Sequence, residues 1–394
     1  MKNKINLKIN LILSCLCFLC LFPKNLFAEI PQIKEEELKE REVIFNTLRV
    51  SGMGGAGSST PIDFEPLLYN PAGLTSKLQN RSKGFTFSLG VDTYFKPQYL
   101  IPIIENISSN MLTSTILFNT KELITSSGAG AAATFALGFT PLKKSFGIGL
   151  YGGGTVYISG KPFPLGTQGY INLSITFPLA YSWILSESSK NKLSFGVNLH
   201  PEIAIFRTLN GSDVDALAGG TVTVNQLINQ VIDNPYFSLP LDLGIIYTAY
   251  NVPYKNAEMR ISSTINNLFG NFFGPETKNQ AVKKEILINF GTALILPFEI
   301  FNLDFTGILS AETKGFNQVV EEKISFWKST RFGAELDIEN FLFFRAGLTS
   351  GYPAVSAELR VFHFYFGFSW QTIEKGLYIG DNPLSVFRFS LSIH

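Results

Sequence analysis

Residues 355–361 read Val-Ser-Ala-Glu-Leu-Arg-Val, and this stretch carries the pattern that decides the fold. An apolar side chain stands at every second position, and a small or charged one stands between. Because successive side chains of a β-strand point to opposite faces, the segment has one apolar face and one polar face. The same alternation recurs most clearly in residues 85–92, 193–200, 239–245, 332–338 and 387–393.

The alternating segments and the turns between them predict a chain built almost wholly of β-strands. Many segments are long enough to cross a membrane, for which a tilted strand needs about 9–11 residues. We expect about 14 strands, and an even number is what a closed bacterial barrel requires. The predicted strands are 84–95, 129–140, 145–158, 170–185, 191–206, 236–250, 257–268, 284–296, 299–311, 328–339, 341–350, 353–362, 363–371 and 384–393.

Two architectures fit such a chain, a secreted sandwich and a transmembrane antiparallel β-barrel. The barrel is favoured because nearly every predicted strand alternates and none is apolar on both faces. Aromatic residues such as Tyr94, Trp183, Trp327 and Trp370 lie near segment ends, where the aromatic girdles of a barrel lie. Only 16% of the residues are charged, against roughly 25% in an average soluble domain.

The composition excludes several functional classes. Of 394 residues, 45% are hydrophobic and the formal net charge is +1, which excludes disorder for most of the chain. There is no cluster of Lys and Arg, so we expect no nucleic-acid partner. None of His200, His363 and His394 has a second ligand at metal spacing, and no nucleophile context is recognisable. We therefore expect no enzyme, no cofactor and no metal.

The first 28 residues have the order of a secretory signal peptide. Three lysines within residues 1–10 precede an uncharged run at 11–22, and Ala28 precedes the first acid. That run is shorter than the about 20 residues of a transmembrane helix. A lipid attachment site at Cys15 is a minor alternative. Removal of residues 1–28 takes away four lysines and all three cysteines, which leaves 28 basic and 31 acidic residues, a net charge of −3 and no disulfide.

Three segments outside the predicted strands do not alternate. Residues 29–48 form a charged arm, expected in the periplasm as a solvated helix or a flexible segment. Residues 97–127 and 208–234 are interpreted as long loops with short helices, on the exposed side or over the pore. For each loop, packing on the barrel and a ligand-catching cap are both open.

Residues 51–74 form a glycine-rich segment in front of the first strand. It is not a phosphate-binding loop, since no Gly-Lys-Ser/Thr follows. Its glycines allow tight curvature and close packing, and residues 70–73 form a compact turn with a fixed proline dihedral. A segment folded inside a barrel needs these properties, because its backbone must pack against the wall. We therefore expect residues 49–82 to form an N-terminal hatch that plugs the lumen.

This segment resembles the hatch of the long-chain fatty-acid transporter (FadL-like) family of outer-membrane barrels and of the related PorV-like barrels. The family pattern is Gly-Met-Gly-Gly-Ala, then an acid, then an aromatic residue followed by Asn-Pro-Ala-Gly-Leu. Residues 345–348 and 376–378 resemble the tail of the family, whereas residues 58–61 and the terminal His394 depart from the pattern. The matching hatch residues are Gly52, Met53, Gly54, Gly55, Ala56, Asp63, Tyr69, Asn70, Pro71, Ala72, Gly73 and Leu74.

The resemblance implies an outer-membrane barrel that binds and passes hydrophobic, fatty-acid-like small molecules. Its parts would be a signal peptide (1–28), a periplasmic arm (29–48), the hatch (49–82) and the barrel (83–394). Its expected partners are outer-membrane lipid, a hydrophobic small-molecule ligand and the barrel-insertion machinery. Two alternatives stay open: a PorV-like structural barrel with a secretion partner, and a general porin.

Two further sets of residues are candidates for function. Gly152, Gly153 and Gly154 lie in the third predicted strand, where glycines allow a kink or bulge. In the family an inward kink of the third strand is the proposed lateral gate, and the alternative is that the glycines make room for the hatch. Charged residues of both signs also fall on the inner face, either as a mutually paired wall or as a selectivity or headgroup site. They include Asp242, Arg260, Asp304, Arg345, Glu358, Arg360 and Arg388.

Overall fold

The computed structural model describes residues 46–76, 84–95, 129–141, 145–160, 167–209, 235–273, 284–374 and 383–393. Several predictions lie outside these ranges. They are the signal peptide with Cys15, the arm up to residue 45, the loop at 97–127, most of the segment 208–234, residues 376–378 and His394.

The described chain forms a closed antiparallel barrel of 14 strands. Each strand pairs with the next along the chain, and the last pairs with the first. This confirms the predicted transmembrane barrel fold and its number of strands. The strands are β1 (Phe85–Phe95), β2 (Ala129–Phe139), β3 (Phe146–Gly160), β4 (Thr167–Thr176 and Leu179–Glu187), β5 (Asn191–Leu199 and Glu202–Leu209), β6 (Tyr236–Ser238 and Leu241–Tyr250), β7 (Glu258–Leu268 and Phe272–Phe273), β8 (Leu287–Ile300), β9 (Leu303–Thr313), β10 (Thr330–Ile338), β11 (Leu342–Thr349), β12 (Tyr352–Val361), β13 (Phe364–Glu374) and β14 (Pro383–Ile393).

Four neighbouring strands, β4 to β7, are each divided into two segments. In β4, β5 and β6 a proline stands at the break, namely Pro178, Pro201 and Pro240. Proline lacks the N–H that a ladder bond needs. The pairing register nevertheless continues across these three breaks, and the N–H of Phe177 still donates to the carbonyl of Pro201 at 2.9 Å. The register shifts at two other places, between Ile265 and Leu268 of β7 and between Ile184 and Ser186 of β4.

The two ends of the barrel differ in their connections. At one end, here called the short-turn end, tight turns at residues 188–190, 301–302, 339–341 and 362–363 join the strands. The opposite, long-loop end carries most of the longer connections, including residues 314–329 with α2 (Phe316–Val320) and α3 (Phe326–Ser329). Short periplasmic turns and longer extracellular loops are typical of bacterial outer-membrane barrels.

The barrel wall has an apolar outer face and a polar inner face. On β9, Leu309 points outward and is 51% exposed, whereas Glu312 points inward and is 8% exposed. On β1, Leu89 is exposed outside and Asp92 is buried inside. An exposed apolar band around a polar interior is what a bilayer requires of a barrel. Among the described residues no helix is long and apolar enough to cross a membrane.

One predicted turn is wrong. The sequence placed the break between the eighth and ninth strands after residue 296, next to Pro297. In the structure Pro297 lies inside β8, opposite Thr306 of β9. The turn instead falls at Phe301 and Asn302, whose φ angles are 55° and 63°. Alternation continues through Pro297 as far as Ile300, so β8 is longer than predicted.

Candidate functional site

The hatch, as the structure describes it over residues 46–76, is a short chain of turns inside the barrel. It contains α1 (Leu48–Gly52) and two 3₁₀ turns, Glu65–Leu67 and Pro71–Thr75. Thr47 begins α1 by accepting a hydrogen bond from the N–H of Val50 at 3.2 Å. Gly54 and Gly55 follow the helix with φ angles of 64° and 91°, a conformation that glycine adopts without steric cost.

Asn70 organises the second half of the hatch. Its side-chain oxygen accepts from the N–H of Ala72 at 3.1 Å, which caps the turn that Pro71 begins. Its amide nitrogen donates to the carbonyl of Ser58 at 3.0 Å, which ties the two halves of the hatch together. The compact turn predicted for Asn-Pro-Ala-Gly is therefore present, and the structure adds that Asn70 caps it, with proline at its first position.

A ring of wall glycines receives the hatch. A Cβ atom added to Gly196 would lie 2.3 Å from the backbone N of Ala72, and one added to Gly347 would lie 2.5 Å from the carbonyl carbon of Met53. Such distances are too short for real contacts, so the hatch backbone touches the wall backbone where the wall has no side chain. Gly333 is in the same kind of contact with Met53. Five further wall glycines make room for hatch side chains instead, namely Gly138, Gly147, Gly244, Gly291 and Gly367.

The remaining predicted hatch residues pack against the wall or one another. Met53 is fully buried with Ile295 and Ile308, and Leu74 is buried in a cluster with Phe64, Leu67, Ala136 and Ala180. The other members of the motif are also placed inside the barrel. Gly52 lies against Ser356 and Arg345, Gly73 lies against Pro61, and Ala56 is buried. The hydroxyl of Tyr69 accepts a hydrogen bond from the N–H of Thr47 at 2.9 Å. The carbonyl of Asp63 accepts one from the hydroxyl of Thr140 at 3.0 Å.

A buried ionic cluster anchors the first half of the hatch. Arg49 donates to Glu65 at 2.9 Å and to Glu335 of β10 at 2.7 Å. Arg345 of β11 donates to the same oxygen of Glu335 at 2.7 Å and to Glu358 of β12 at 2.7 Å. Two guanidinium groups and three carboxylates thus form one connected chain of charges. Because a buried charge is costly without a partner, this cluster fixes the hatch against β10, β11 and β12.

Burial perturbs the titration of the hatch groups. Loss of hydration raises the pKa of Glu65 above its ordinary value, although Arg49 acts in the opposite direction. For Arg49, burial acts to lower the pKa, but the carboxylates of Glu335 and Glu65 outweigh it and raise the pKa above its ordinary value. Burial also raises the pKa of the Tyr69 hydroxyl, so this group stays neutral.

Two further contacts hold the middle of the hatch and the barrel seam. Glu312 of β9 accepts from the backbone N–H groups of Gly57 and Ser58 at 3.1 and 2.9 Å. Arg388 of β14 donates to both carboxylate oxygens of Asp92 on β1 at 2.6 Å, across the seam where the barrel closes. Two parallel bonds of this kind are strong and directional, so this pair fastens the last strand to the first. Glu312, in contrast, holds the glycine-rich run by its backbone N–H groups, which small side chains leave accessible.

The second half of the hatch is held by lumen-facing side chains of β5 to β7. Asn198 donates to the carbonyl of Leu67 at 3.0 Å, and Arg260 donates to the hydroxyl of Ser76 at 2.8 Å. Beside Asn198, His200 and Asp242 lie 3.0 Å apart between the nearest nitrogen and oxygen. The hatch is therefore fixed around the whole circumference of the lumen.

The structure separates the predicted lumen charges into two groups. Asp242, Arg260, Arg345, Glu358 and Arg388 line the lumen and take part in the contacts above. Asp304 and Arg360 also lie on the inward side of their strands, but near the tips of hairpins at the short-turn end. There Asp304 is exposed, and Arg360 donates to the carbonyl of Phe362 at 3.1 Å.

Two central residues of the site, Arg49 and Glu65, were not among the predicted site residues. Arg49 was only the first residue of the predicted hatch, and its partner Glu335 lies 286 residues away. The sequence does contain a signal for them. Glu65 is an acid between the two hatch motifs, and Arg49 is a lone arginine just before the first motif. A segment predicted to be buried must pair such charges.

An apolar sector occupies the inner wall on the long-loop side of the Asp92–Arg388 pair. Its members are buried and face the lumen from five neighbouring strands. The hydroxyl of Tyr94 donates to Asp92 at 3.2 Å, so the sector borders directly on the ion pair. The sector consists of Tyr94, Ala132, Tyr157, Ile373, Leu384 and Val386.

The kink expected at Gly152, Gly153 and Gly154 is absent. β3 pairs residue by residue with β2 and with β4 through all three glycines, without a register shift. A Cβ added to Gly152 would lie 2.5 Å from the carbonyl oxygen of Ser174, and one added to Gly153 would lie 2.7 Å from that of Ala133. These glycines thus allow close approach of neighbouring strands. The lateral gate itself stays a prediction.

The hatch contacts make a specific prediction for one wall glycine. Gly196→Val should displace the turn at residues 71–75, because the new side chain would overlap hatch backbone rather than a movable side chain. Overpacking of this kind costs about 1–3 kcal/mol. Limited proteolysis of the folded barrel should then cleave the hatch faster. Gly307→Val is the matched control, since its nearest neighbour, Phe298, would be 3.5 Å away on the outer face. Equal cleavage of both variants would contradict the fitted hatch.

Comparison with known proteins gives structural neighbours only. No family model matches the chain, and no curated protein matches it. The toluene transporter TbuX of Ralstonia pickettii is 15% identical, with 89% of this chain and 98% of that chain covered and a TM-score of 0.42. The toluene transporter TodX of Pseudomonas putida is 10% identical, with 90% and 98% covered and a TM-score of 0.40.

A further neighbour is a longer protein. CdiB from Acinetobacter baumannii is 11% identical, with a TM-score of 0.37, and the match covers 79% of this chain but only 60% of CdiB.

Within the described residues there is no group of three or more His, Cys, Asp or Glu side chains that could hold a metal ion.

Proposed function

We propose that this protein is a non-enzymatic outer-membrane barrel that binds hydrophobic small molecules and passes them across the outer membrane. The observation that carries the proposal is the hatch fitted into the lumen against a ring of wall glycines. A barrel closed in this way does not serve free diffusion of polar solutes, so its passage must be selective. The match of residues 52–74 to the hatch pattern of fatty-acid transporters supports a fatty-acid-like ligand.

The apolar sector supports the hydrophobic nature of the ligand. It lies on the inner face, where a barrel that serves only polar solutes would carry polar side chains. An apolar body would pack against Leu384 and Val386, and a polar head would face Arg388, Asp92 and the hydroxyl of Tyr94. The sector and the ion pair together would therefore suit an amphiphile with one long apolar part.

The contact between hatch and wall limits the path that a ligand can take through the barrel. It combines ion pairs, backbone hydrogen bonds, close glycine contacts and the buried apolar clusters around Met53 and Leu74, so the hatch is packed closely against the wall. Passage therefore requires displacement of the hatch or an opening in the wall. For Gly152–Gly154 to serve as a lateral gate, the backbone pairing of β3 would first have to break, because both its edges are paired.

A binding measurement tests the proposal. Purified protein in detergent is titrated with a fluorescent fatty-acid analogue, and its bound lipids are extracted and identified by mass spectrometry. We expect saturable binding that Val386→Asn weakens about tenfold, because an amide without a partner in an apolar site costs about 1–3 kcal/mol. Val386→Ile keeps the apolar surface and is the matched control.

Each contrary result points to a defined alternative. Equal affinity of the wild type and Val386→Asn would exclude the apolar sector as the binding site. Absence of binding together with a large, ligand-independent conductance would favour a general porin. Absence of binding together with stoichiometric capture of a secreted protein would favour a PorV-like secretion barrel.

A further inference from the structure

Three neighbouring hairpins at the short-turn end keep an apolar outer face down to their tips. In the β8–β9 hairpin, Phe298 and Phe305 stack on the outer face with ring centroids 5.3 Å apart. Ile300 and Leu303 continue the apolar face beyond them and are exposed. Phe301 occupies the tip itself and is 94% exposed.

The other two hairpins repeat this arrangement. At the β12–β13 tip, Phe362 is 85% exposed, and Phe364 and Phe366 lie behind it on the outer face with ring centroids 6.4 Å apart. Phe341 is exposed in the β10–β11 turn. Each of three successive hairpins thus presents a phenylalanine at or beside its tip.

The backbone at two of these tips adds a second observation. Phe301 and Phe362 have φ angles of 55° and 57°. This left-handed conformation is rare for bulky residues, and turns that need it usually contain glycine or asparagine. Each of these two tips therefore carries a large apolar side chain, although the backbone conformation and the exposure to water both disfavour one there. A favourable external contact would account for both.

The β4–β5 hairpin, nearly half-way around the barrel from β10–β11, differs. Its aromatic side chains, Tyr181 and Trp183, contact each other with ring centroids 4.7 Å apart. Between them and the tip the chain becomes polar and exposed. The exposed polar residues there are Ser186, Glu187, Ser188, Ser189 and Lys190. On this side the apolar band ends well above the turn.

We propose that the barrel lies tilted in the membrane, with the β8–β13 side inserted more deeply and with Phe301, Phe341 and Phe362 in the lipid headgroup region at the short-turn end. The partner is lipid because the tips continue the lipid-facing apolar surface without interruption. The charges agree with this orientation. Glu299 and Asp304 lie opposite each other on the inner face of the β8–β9 hairpin, away from lipid.

Site-directed spin labelling tests the depth of the tips. Single-cysteine variants Leu303→Cys, His363→Cys and Ser189→Cys are made in a chain whose three native cysteines, all within residues 1–28, are removed. The labelled barrels are reconstituted in vesicles of phosphatidylethanolamine and phosphatidylglycerol. Accessibility to oxygen, which partitions into lipid, is compared with accessibility to a water-soluble nickel complex.

We expect the nickel complex to reach the labels at positions 303 and 363 several-fold less than the control label at position 189. Replacing Phe301 and Phe362 by serine should then raise nickel accessibility at position 363, while the gel mobility of the folded barrel stays unchanged. Equal nickel accessibility at all three positions would overturn the proposal. Protection that arises only after periplasmic proteins are added would overturn it too, since a protein would then cover these tips.

Discussion

Deletion of residues 46–76 should convert the closed barrel into an open pore. The hatch occupies the lumen, and none of the strand pairings that close the barrel passes through it. The wall charges also keep partners without the hatch, since Arg345 remains paired with Glu335 and Glu358. The barrel should therefore fold, and its lumen should fill with water. We expect single-channel conductance in planar bilayers to rise on the order of tenfold or more, as in barrels with an aqueous lumen.

The control for this deletion is a test of whether the shortened barrel is folded. Heat-dependent gel mobility reports whether the shortened chain is folded, and only folded protein is used for conductance. A folded barrel with unchanged conductance would show that the hatch is not the barrier to solutes. The barrier would then be formed by other parts of the chain.

Alternation predicted the barrel because the pattern can be read within a single strand, without knowledge of the strands that pair with it. A period of two within a strand assigns each side chain to a face, whatever the strand pairs with. The predicted strands at 84–95 and 236–250 therefore agree with β1 and β6 within one or two residues. The predicted strand end at residue 296 was wrong, because β8 continues through Pro297, whose ring lies on the lumen-facing side.

Contacts between distant parts of the chain could not be predicted in the same way. The hatch motif indicated a compact plug, but no local pattern indicated that Arg49 would contact Glu335. The wall glycines show the same limit. Gly196 and Gly244 look like ordinary small residues on alternating strands, and their role follows only from the hatch residues that lie against them, the backbone of residues 71–72 and the side chain of Asn70.

Glu335 should be the most sensitive single residue of the hatch anchor. Its side chain is fully buried and accepts from both Arg49 and Arg345 at 2.7 Å. Glu335→Gln keeps the shape but removes the charge that two buried guanidinium groups share. Loss of one partner in a buried ion pair costs about 3–5 kcal/mol. Since Glu65 and Glu358 still neutralise the two arginines, we expect the lower end of this range.

Hydrogen exchange of backbone amides measures this loss of stability within the hatch itself. Amides of residues 47–60 should exchange through local opening of the hatch rather than through unfolding of the barrel. A loss of about 3 kcal/mol corresponds to exchange roughly 100-fold faster, while β-strand amides stay unchanged. Glu339→Gln, an exposed acid after the same strand, is the matched control. Faster exchange in both variants, or in neither, would mean that the ionic cluster does not hold the hatch. The glycine contacts and the hydrogen bonds from Glu312, Asn198 and Arg260 would then have to hold it.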